Sequence, residues 1–336
     1  MKILIVPVIL ALLAGCATAP KGPQIDTTYN AKGQSSRARF LVLHYTVSDK
    51  PTSIKILTEQ QVSAHYLLTD DPQPIIYRLV DETRSAYHAG VSSWKQYTQL
   101  NNSSIGIEIV NAGWKDTPQG RVYAPFPQAQ VDALMVLVKD IVQRNGIAPE
   151  NVLGHSDIAP LRKQDPGPQF PWARLAQEGL VLWPDANRVA LVRPIFDAAL
   201  PDVAWFQRKL AAHGFGIQQS GMFDKQTITV LSAFQMKYRP SDISGNIDAE
   251  TATLLEVLTT PANAPLPVVM PPVITTPVPA LPPATAPAPV VPETAPAPAA
   301  PVPLPNPAVP APLPTPSTPP TPLPAGPANP AVVNTP

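Results

Sequence analysis

Phe40-Leu41-Val42-Leu43-His44 and Ile105-Gly106-Ile107-Glu108-Ile109-Val110 decide how this chain is read. Both are short apolar runs of the kind that form strands covered on both faces. Each also carries one residue that a buried strand does not favour. Alternation puts Phe40, Val42 and His44 on one face of the first run. In the second it puts Ile105, Ile107 and Ile109 on one face and Gly106, Glu108 and Val110 on the other. An ionised carboxylate is expensive to bury. Glu108 therefore has a raised pKa and suits the uptake and return of a proton. Gly106 leaves room beside it for a ligand or a water. The competing reading of Glu108 is a structural ion pair with Arg or Lys.

Outward from these runs the pattern is mixed. Tyr66-Leu67-Leu68 and Ile75-Ile76-Tyr77-Arg78-Leu79-Val80 flank Asp71-Pro72-Gln73-Pro74 and read as a hairpin. Val131, Leu134, Val138, Ile141 and Val142 recur at helical spacing, with Pro127 near the start and Gly146 past the end. Residues 35–185 are thus expected to be an α/β domain, a mixed central β-sheet flanked by helices. Residues 186–260 are expected to be a small three-helix domain with an internal repeat. Gly221-Met222-Phe223-Asp224-Lys225-Gln226-Thr227 recurs in type as Gly245-Asn246-Ile247-Asp248-Ala249-Glu250-Thr251. Each Asp can cap the helix that follows, and the apolar residue before it can staple the first turn.

The 336 residues suffice for about two domains. Lys plus Arg and Asp plus Glu both number 24, so the net charge is zero. No global field steers nucleic acid, and no nucleic-acid partner is expected. Met1-Lys2 followed by the apolar Ile3 to Leu13 reads as an export signal, too short to span a bilayer. Leu13-Ala14-Gly15-Cys16 resembles the bacterial lipobox, in which the Cys is acylated and becomes the N-terminus. Several acyl chains on Cys16 would give stable membrane anchoring. An ordinary secreted protein with an incidental Cys16 is the alternative. Residues 1–16 are read as a lipoprotein signal peptide and 17–34 as a tether. With a single Cys there is no intrachain disulfide. Residues 261–336 hold 29 of the 47 prolines and one charged residue, Glu293. Such a stretch cannot form a packed core and is expected to be a disordered, polyproline-rich spacer.

The five histidines are His44, His65, His88, His155 and His213. His44 closes the first strand, and His155 follows Val152-Leu153-Gly154, a second strand end. Asp165 comes ten residues later, with Lys163 two residues before it. Two imidazoles and a carboxylate around an open position satisfy a catalytic zinc. Lys163 could then reach a developing oxyanion. On spacing alone, satisfied core histidines and a surface lysine are the favoured reading.

Six stretches in order narrow the choice: Phe40 to Thr46, Ser63-Ala64-His65-Tyr66, His88-Ala89-Gly90, Asn102 to Glu108, Gly154-His155-Ser156-Asp157-Ile158-Ala159-Pro160, and Lys163-Gln164-Asp165-Pro166-Gly167-Pro168. Together they resemble the zinc N-acetylmuramoyl-L-alanine amidases, which share their fold with peptidoglycan recognition proteins. The resemblance implies one Zn²⁺ held by His44, His155 and Asp165, with Glu108 as acid/base and Lys163 assisting the tetrahedral intermediate. The reaction implied is hydrolysis of the lactyl-amide bond between N-acetylmuramic acid and L-alanine of peptidoglycan or muropeptides. His88, Asn111 and Trp94 are expected in the substrate cleft, and His65 in a structural place. The Asp202 to Leu258 segment resembles the three-helix peptidoglycan-binding domain, where Gln235 could touch ligand or face solvent. The lipobox and appended module point to outer-membrane lipoprotein amidases facing the periplasm. No obligate protein partner is implied. The rival reading is a wall-binding lipoprotein without activity.

Overall fold

The computed structural model describes residue 23 and residues 25–265. Cys16 and residues 266–336 of the proline-rich stretch lie outside them. In chain order the first elements are β1 (Phe40–Tyr45), α1 (Lys50–Glu59), β2 (Tyr66–Leu68) and β3 (Ile76–Arg78). The short hairpin β4 (Ser93–Trp94) and β5 (Tyr97–Thr98) precedes β6 (Ser104–Ile109). A second hairpin, β7 (Trp114–Thr117) and β8 (Gly120–Tyr123), leads to α2 (Gln128–Asn145) and β9 (Val152–Gly154). The helices α3 (His155–Ile158), α4 (Trp172–Gln177), α5 (Ala186–Ala198), α6 (Val203–His213), α7 (Lys225–Tyr238) and α8 (Ala249–Thr259) follow. None of the described helices is long and apolar enough to cross a membrane.

Five strands form one mixed sheet in the order β3-β2-β6-β1-β9. β1 lies parallel to both β6 and β9, and β2 is parallel to β6. Only β3 runs antiparallel, as the second arm of the expected hairpin. Leu41, Leu43, Ile105, Ile107 and Ile109 face α2, where Val131, Leu134, Val138 and Ile141 close the core. Pro127 caps α2, and Gly146 ends it in the left-handed conformation (φ 64°), which glycine adopts without a Cβ penalty. Phe40 and Val42 face the other way, into a core shared with Leu153, Ile158 and residues of α5 to α8. The described residues fall within one compact unit.

The C-terminal segment has four helices where three were expected. α5 has only two buried residues, Val192 and Phe196, and contains Pro194. That leaves too thin an apolar stripe to signal a helix from sequence.

The repeat is a cap and a clamp. Asp224 and Asp248 accept from the backbone N–H of Thr227 and Thr251, 2.8 Å in each case. One helix earlier, a glutamine grips each turn. Gln207 donates to the Thr227 hydroxyl and accepts from Gly221 N–H. Gln235 does the same with Thr251 and Gly245. Gln235 is fully buried, so it neither faces solvent nor meets ligand. The staple operates in one copy only: Ile247 packs on the core, while Phe223 is exposed.

Truncating a buried side chain that satisfies several polar groups leaves them unpaired, at about 1–3 kcal/mol. Gln235→Ala is expected to lower the unfolding free energy by about that amount. Urea denaturation followed by circular dichroism measures it, and an unchanged midpoint would remove the clamp's energetic role.

Candidate active site

The parallel register sets the site. His44 on β1 lies directly beside Glu108 on β6, and Leu43 beside Gly154, the residue before His155. Three chemistry-bearing side chains thus gather at the carboxyl ends of parallel strands, where open α/β sheets leave a crevice. Asp165 arrives from the loop after α3 and is tied back by its own carbonyl, which accepts from Ser156 N–H (2.8 Å).

His44 Nδ1 lies 2.9 Å from His155 Nδ1, and each of these nitrogens lies 3.0 Å from Asp165 Oδ2. All three residues are buried. Their outer hydrogen bonds fix which nitrogens carry protons. The Ser104 hydroxyl donates to the Leu100 carbonyl, so its oxygen accepts from His88 Nε2–H (3.1 Å). His88 Nδ1 is then free to accept from His44 Nε2–H (3.0 Å), which leaves His44 Nδ1 bare. His155 Nε2 donates to the Ala89 carbonyl (3.1 Å), which turns its Nδ1 toward His44 and Asp165. Burial, followed by the neighbouring His155, pushes the His44 pKa down to about 4. Burial and then His44 hold His88 well below the usual histidine value. Burial works against ionisation of Asp165, but His155 and His44 override it and keep the carboxyl well below the usual range. One nitrogen of each histidine and one Asp165 oxygen therefore meet at about 3 Å. A cation with N and O ligands fits that donor set, and the outer partners orient each ring as metal ligands require.

Above this triangle opens a cleft of about 200 Å³, lined by Tyr45, Thr46, Ser53, Tyr87, His88, Glu108, His155, Lys163 and Asp165 among others. Burial first, then Asp165, pushes the Glu108 pKa up to about 8, with the Lys163 charge pulling the other way. Glu108 Oε2 and the Tyr45 hydroxyl are buried without a hydrogen-bond partner among the described residues. Glu108 forms no ion pair among the described residues.

His44, His88, Glu108, His155, Lys163 and Asp165 come together as expected. Trp94 and Asn111 do not. Trp94 is buried in the core, edge-on to His213 and Phe215. A Cβ built at Gly214 would lie 2.5 Å from its indole. Asn111 pins a loop, accepting from Gly113 N–H (2.7 Å) and donating to the Pro125 carbonyl (3.0 Å). The space beside Gly106 is not open either: a Cβ there would sit 2.4 Å from the His88 ring. The glycine admits a histidine rather than a ligand. His65 accepts from Gly106 N–H and sits in a structural place. Sequence reasoning missed Ser104 and Tyr45. The strand alternation that aligned Gly106 with Glu108 also aligns Ser104 with them.

Residues 34–168 match the family model described as N-acetylmuramoyl-L-alanine amidase, and residues 200–255 match a putative peptidoglycan binding domain. N-acetylmuramoyl-L-alanine amidase AmiD of Escherichia coli is 43% identical over 258 residues, 74% of this chain and 93% of that protein. This chain belongs to the N-acetylmuramoyl-L-alanine amidases. The solved complex of the E. coli AmiD with anhydro-N-acetylmuramic acid-L-Ala-D-gamma-Glu-L-Lys superposes with a TM-score of 0.64. It is 42% identical, over 70% of this chain and 94% of that one. AmpDh3 of Pseudomonas aeruginosa, in complex with an anhydromuramic pentapeptide, superposes with a TM-score of 0.65 at 38% identity, over 70% of this chain and 96% of that one. The 1,6-anhydro-N-acetylmuramyl-L-alanine amidase AmpD of Enterobacter cloacae is 36% identical over 113 residues, 34% of this chain and 54% of that protein.

In this amidase the contact between Gly106 and His88 is testable. Gly106→Ala is expected to push His88 off His44 Nε2 and weaken metal binding by about 10–100-fold, the usual effect of losing an outer partner. Competition with a chromophoric chelator reads the affinity. Parent affinity would mean that His88 does not orient His44.

Proposed function

We propose that this amidase hydrolyses the amide between the lactyl group of N-acetylmuramic acid and L-alanine, in peptidoglycan or muropeptides, with a single Zn²⁺ held by His44, His155 and Asp165. The observation that carries this reading is the meeting of two imidazole nitrogens and a carboxylate oxygen beneath a cleft in which a second carboxyl, Glu108, has a buried oxygen with no hydrogen-bond partner among the described residues. When bound, zinc supplies Lewis acidity, lowering the pKa of water and polarising an oxygen.

The rest is done by the chain. Glu108 takes a proton from the attacking water and delivers it to the departing amine nitrogen. Its pKa of about 8 suits both transfers near neutral pH. A carboxylate of ordinary acidity would accept the proton less readily, because burial is what makes Glu108 basic. Lys163 lines the same cleft and sets a positive charge where the carbonyl oxygen becomes anionic. His88 and the Ala89 carbonyl hold the two ligand rings in one tautomer. Tyr45 lines the same cleft, its hydroxyl buried and without a hydrogen-bond partner among the described residues.

Residues 186–260 are proposed as the wall-binding part, in keeping with the matched peptidoglycan-binding model. Cys16 is proposed as the lipid attachment point of an outer-membrane lipoprotein facing the periplasm, on the lipobox-like Leu13-Ala14-Gly15-Cys16. Residues 261–336 are proposed as a spacer.

Glu108→Ala is expected to keep one zinc per chain and lose about 10²–10⁴-fold in turnover of muropeptides, read as released stem peptide by mass spectrometry. Parent turnover would refute the acid/base role. His44→Ala is expected to lose the metal itself, and full zinc occupancy in that variant would contradict the ligand assignment. Cys16→Ser is expected to move the protein from the membrane to the soluble periplasmic fraction; unchanged fractionation would rule out the lipid anchor.

A further inference from the structure

Lys237 is a buried lysine. It lies near the end of α7, within the segment that matches the peptidoglycan-binding model, yet its side chain is only 4% exposed. Its ammonium does not reach solvent or wall polymer. It crosses to the sheet domain, where Nζ donates to Asp157 Oδ2 (2.8 Å) and to the carbonyl of Val152 on β9 (3.2 Å). It also sits 4.4 Å from the centre of the Trp172 ring. Asp157, 2% exposed, is equally enclosed.

Asp157 belongs to the turn that carries His155. Its Oδ2 accepts the backbone N–H of Gly154 (2.8 Å), the residue immediately before the histidine. Gly154 is itself confined, since a Cβ there would meet Pro166 at 2.8 Å and Trp172 at 3.2 Å. The next residue, Ser156, donates its backbone N–H to the Asp165 carbonyl. One buried carboxylate thus fixes the backbone on which His155 stands and which holds Asp165. A carboxylate in that position needs a compensating charge. Among the described residues Lys237 is the one cation that forms an ion pair with it.

We infer that Lys237, reaching across from the helical segment, is a positioning residue for the metal centre: by balancing Asp157 it holds the His155 turn in the geometry that brings His155 Nδ1 to His44 and Asp165. The inference rests on reading the His44, His155 and Asp165 triangle as the zinc site. It assigns α7 a second task besides wall binding. The helical segment completes the catalytic unit, and the chemistry depends on a residue that does not line the cleft.

The test uses the full-length, zinc-loaded protein and three readouts: zinc affinity by chelator competition, kcat and KM on a soluble muropeptide, and retention on purified sacculi. Lys237→Met keeps most of the side-chain bulk and removes the charge. It is expected to weaken zinc by about 10–100-fold and to lower kcat, while KM and sacculus retention stay at the parent values. Adding Asp157→Asn removes the lone buried charge and is expected to restore most of the zinc affinity. A folded Lys237→Met protein with parent zinc affinity and kcat overturns the inference. Where Lys237→Met does not fold, the double variant decides. Recovery of fold and zinc supports the inference, and a folded double variant still deficient in zinc overturns it. If the parent protein itself binds no zinc, the metal-site reading has failed, which is a different result from a Lys237→Met protein that matches a zinc-binding parent.

Discussion

Two imidazole nitrogens and a carboxylate oxygen, buried and about 3 Å apart, form a donor set that a cation completes. Everything around them keeps that arrangement from relaxing. The rings are held by hydrogen bonds that begin far from the cleft. The Leu100 carbonyl orients Ser104, Ser104 fixes His88, and His88 fixes His44. The Ala89 carbonyl fixes His155 independently. Neither carbonyl can donate, so each chain of hydrogen bonds has a fixed direction. Preorganisation of this kind means that the ligands need not turn when the metal arrives.

The same economy governs Glu108. A carboxyl in a buried strand would ordinarily be paired. Here its strand neighbour is His44, one oxygen has no partner, and the charge of Lys163 only partly offsets burial and Asp165. The residue is stable in the fold because it can stay protonated, and it is useful for the same reason. Gly106 has a related double character. It is not an opening for ligand; its missing side chain is the space that His88 occupies. A cleft that looks polar and open from its residue list is in fact tightly filled on its inner side.

Much of this was legible in the chain. Strand alternation gave the faces of β1 and β6 correctly, because both strands are covered on both sides and a one-residue slip would bury the wrong set. His44, Glu108 and His155 sit at or just after strand ends, and Lys163 and Asp165 reach the same site from the loop after α3. What remained hidden were contacts between segments distant in sequence. Trp94 and Asn111 looked like cleft residues because aromatics and amides often are. Trp94 is instead the surface on which Gly214 rests, and Asn111 pins its loop while its backbone N–H donates to the Thr46 hydroxyl. α5 escaped notice because its helical stripe has two buried residues and an internal proline.

Lys237 shows where the sequence did carry a signal that went unread. Val230 and Phe234 are buried on α7, and Lys237 continues their stripe at helical spacing. A lysine on the apolar face of a helix must either snorkel to water or find an anion inside. On a helix packed between other helices and a sheet the first route is closed. Its anion must then come from another element, and the buried acids among the described residues are Asp157, Asp165 and Glu256, the last already paired with Lys209. Asp165 already faces two histidines. Elimination therefore leads to Asp157, and through it to the turn that carries a metal ligand. The core shared between Phe40, Val42 and Leu153 of the sheet and Phe206, Leu210 and Phe234 of the helices keeps the lysine and the aspartate in register. Burial of those apolar side chains, a non-directional force, thereby sustains a directional contact on which the geometry of the site depends.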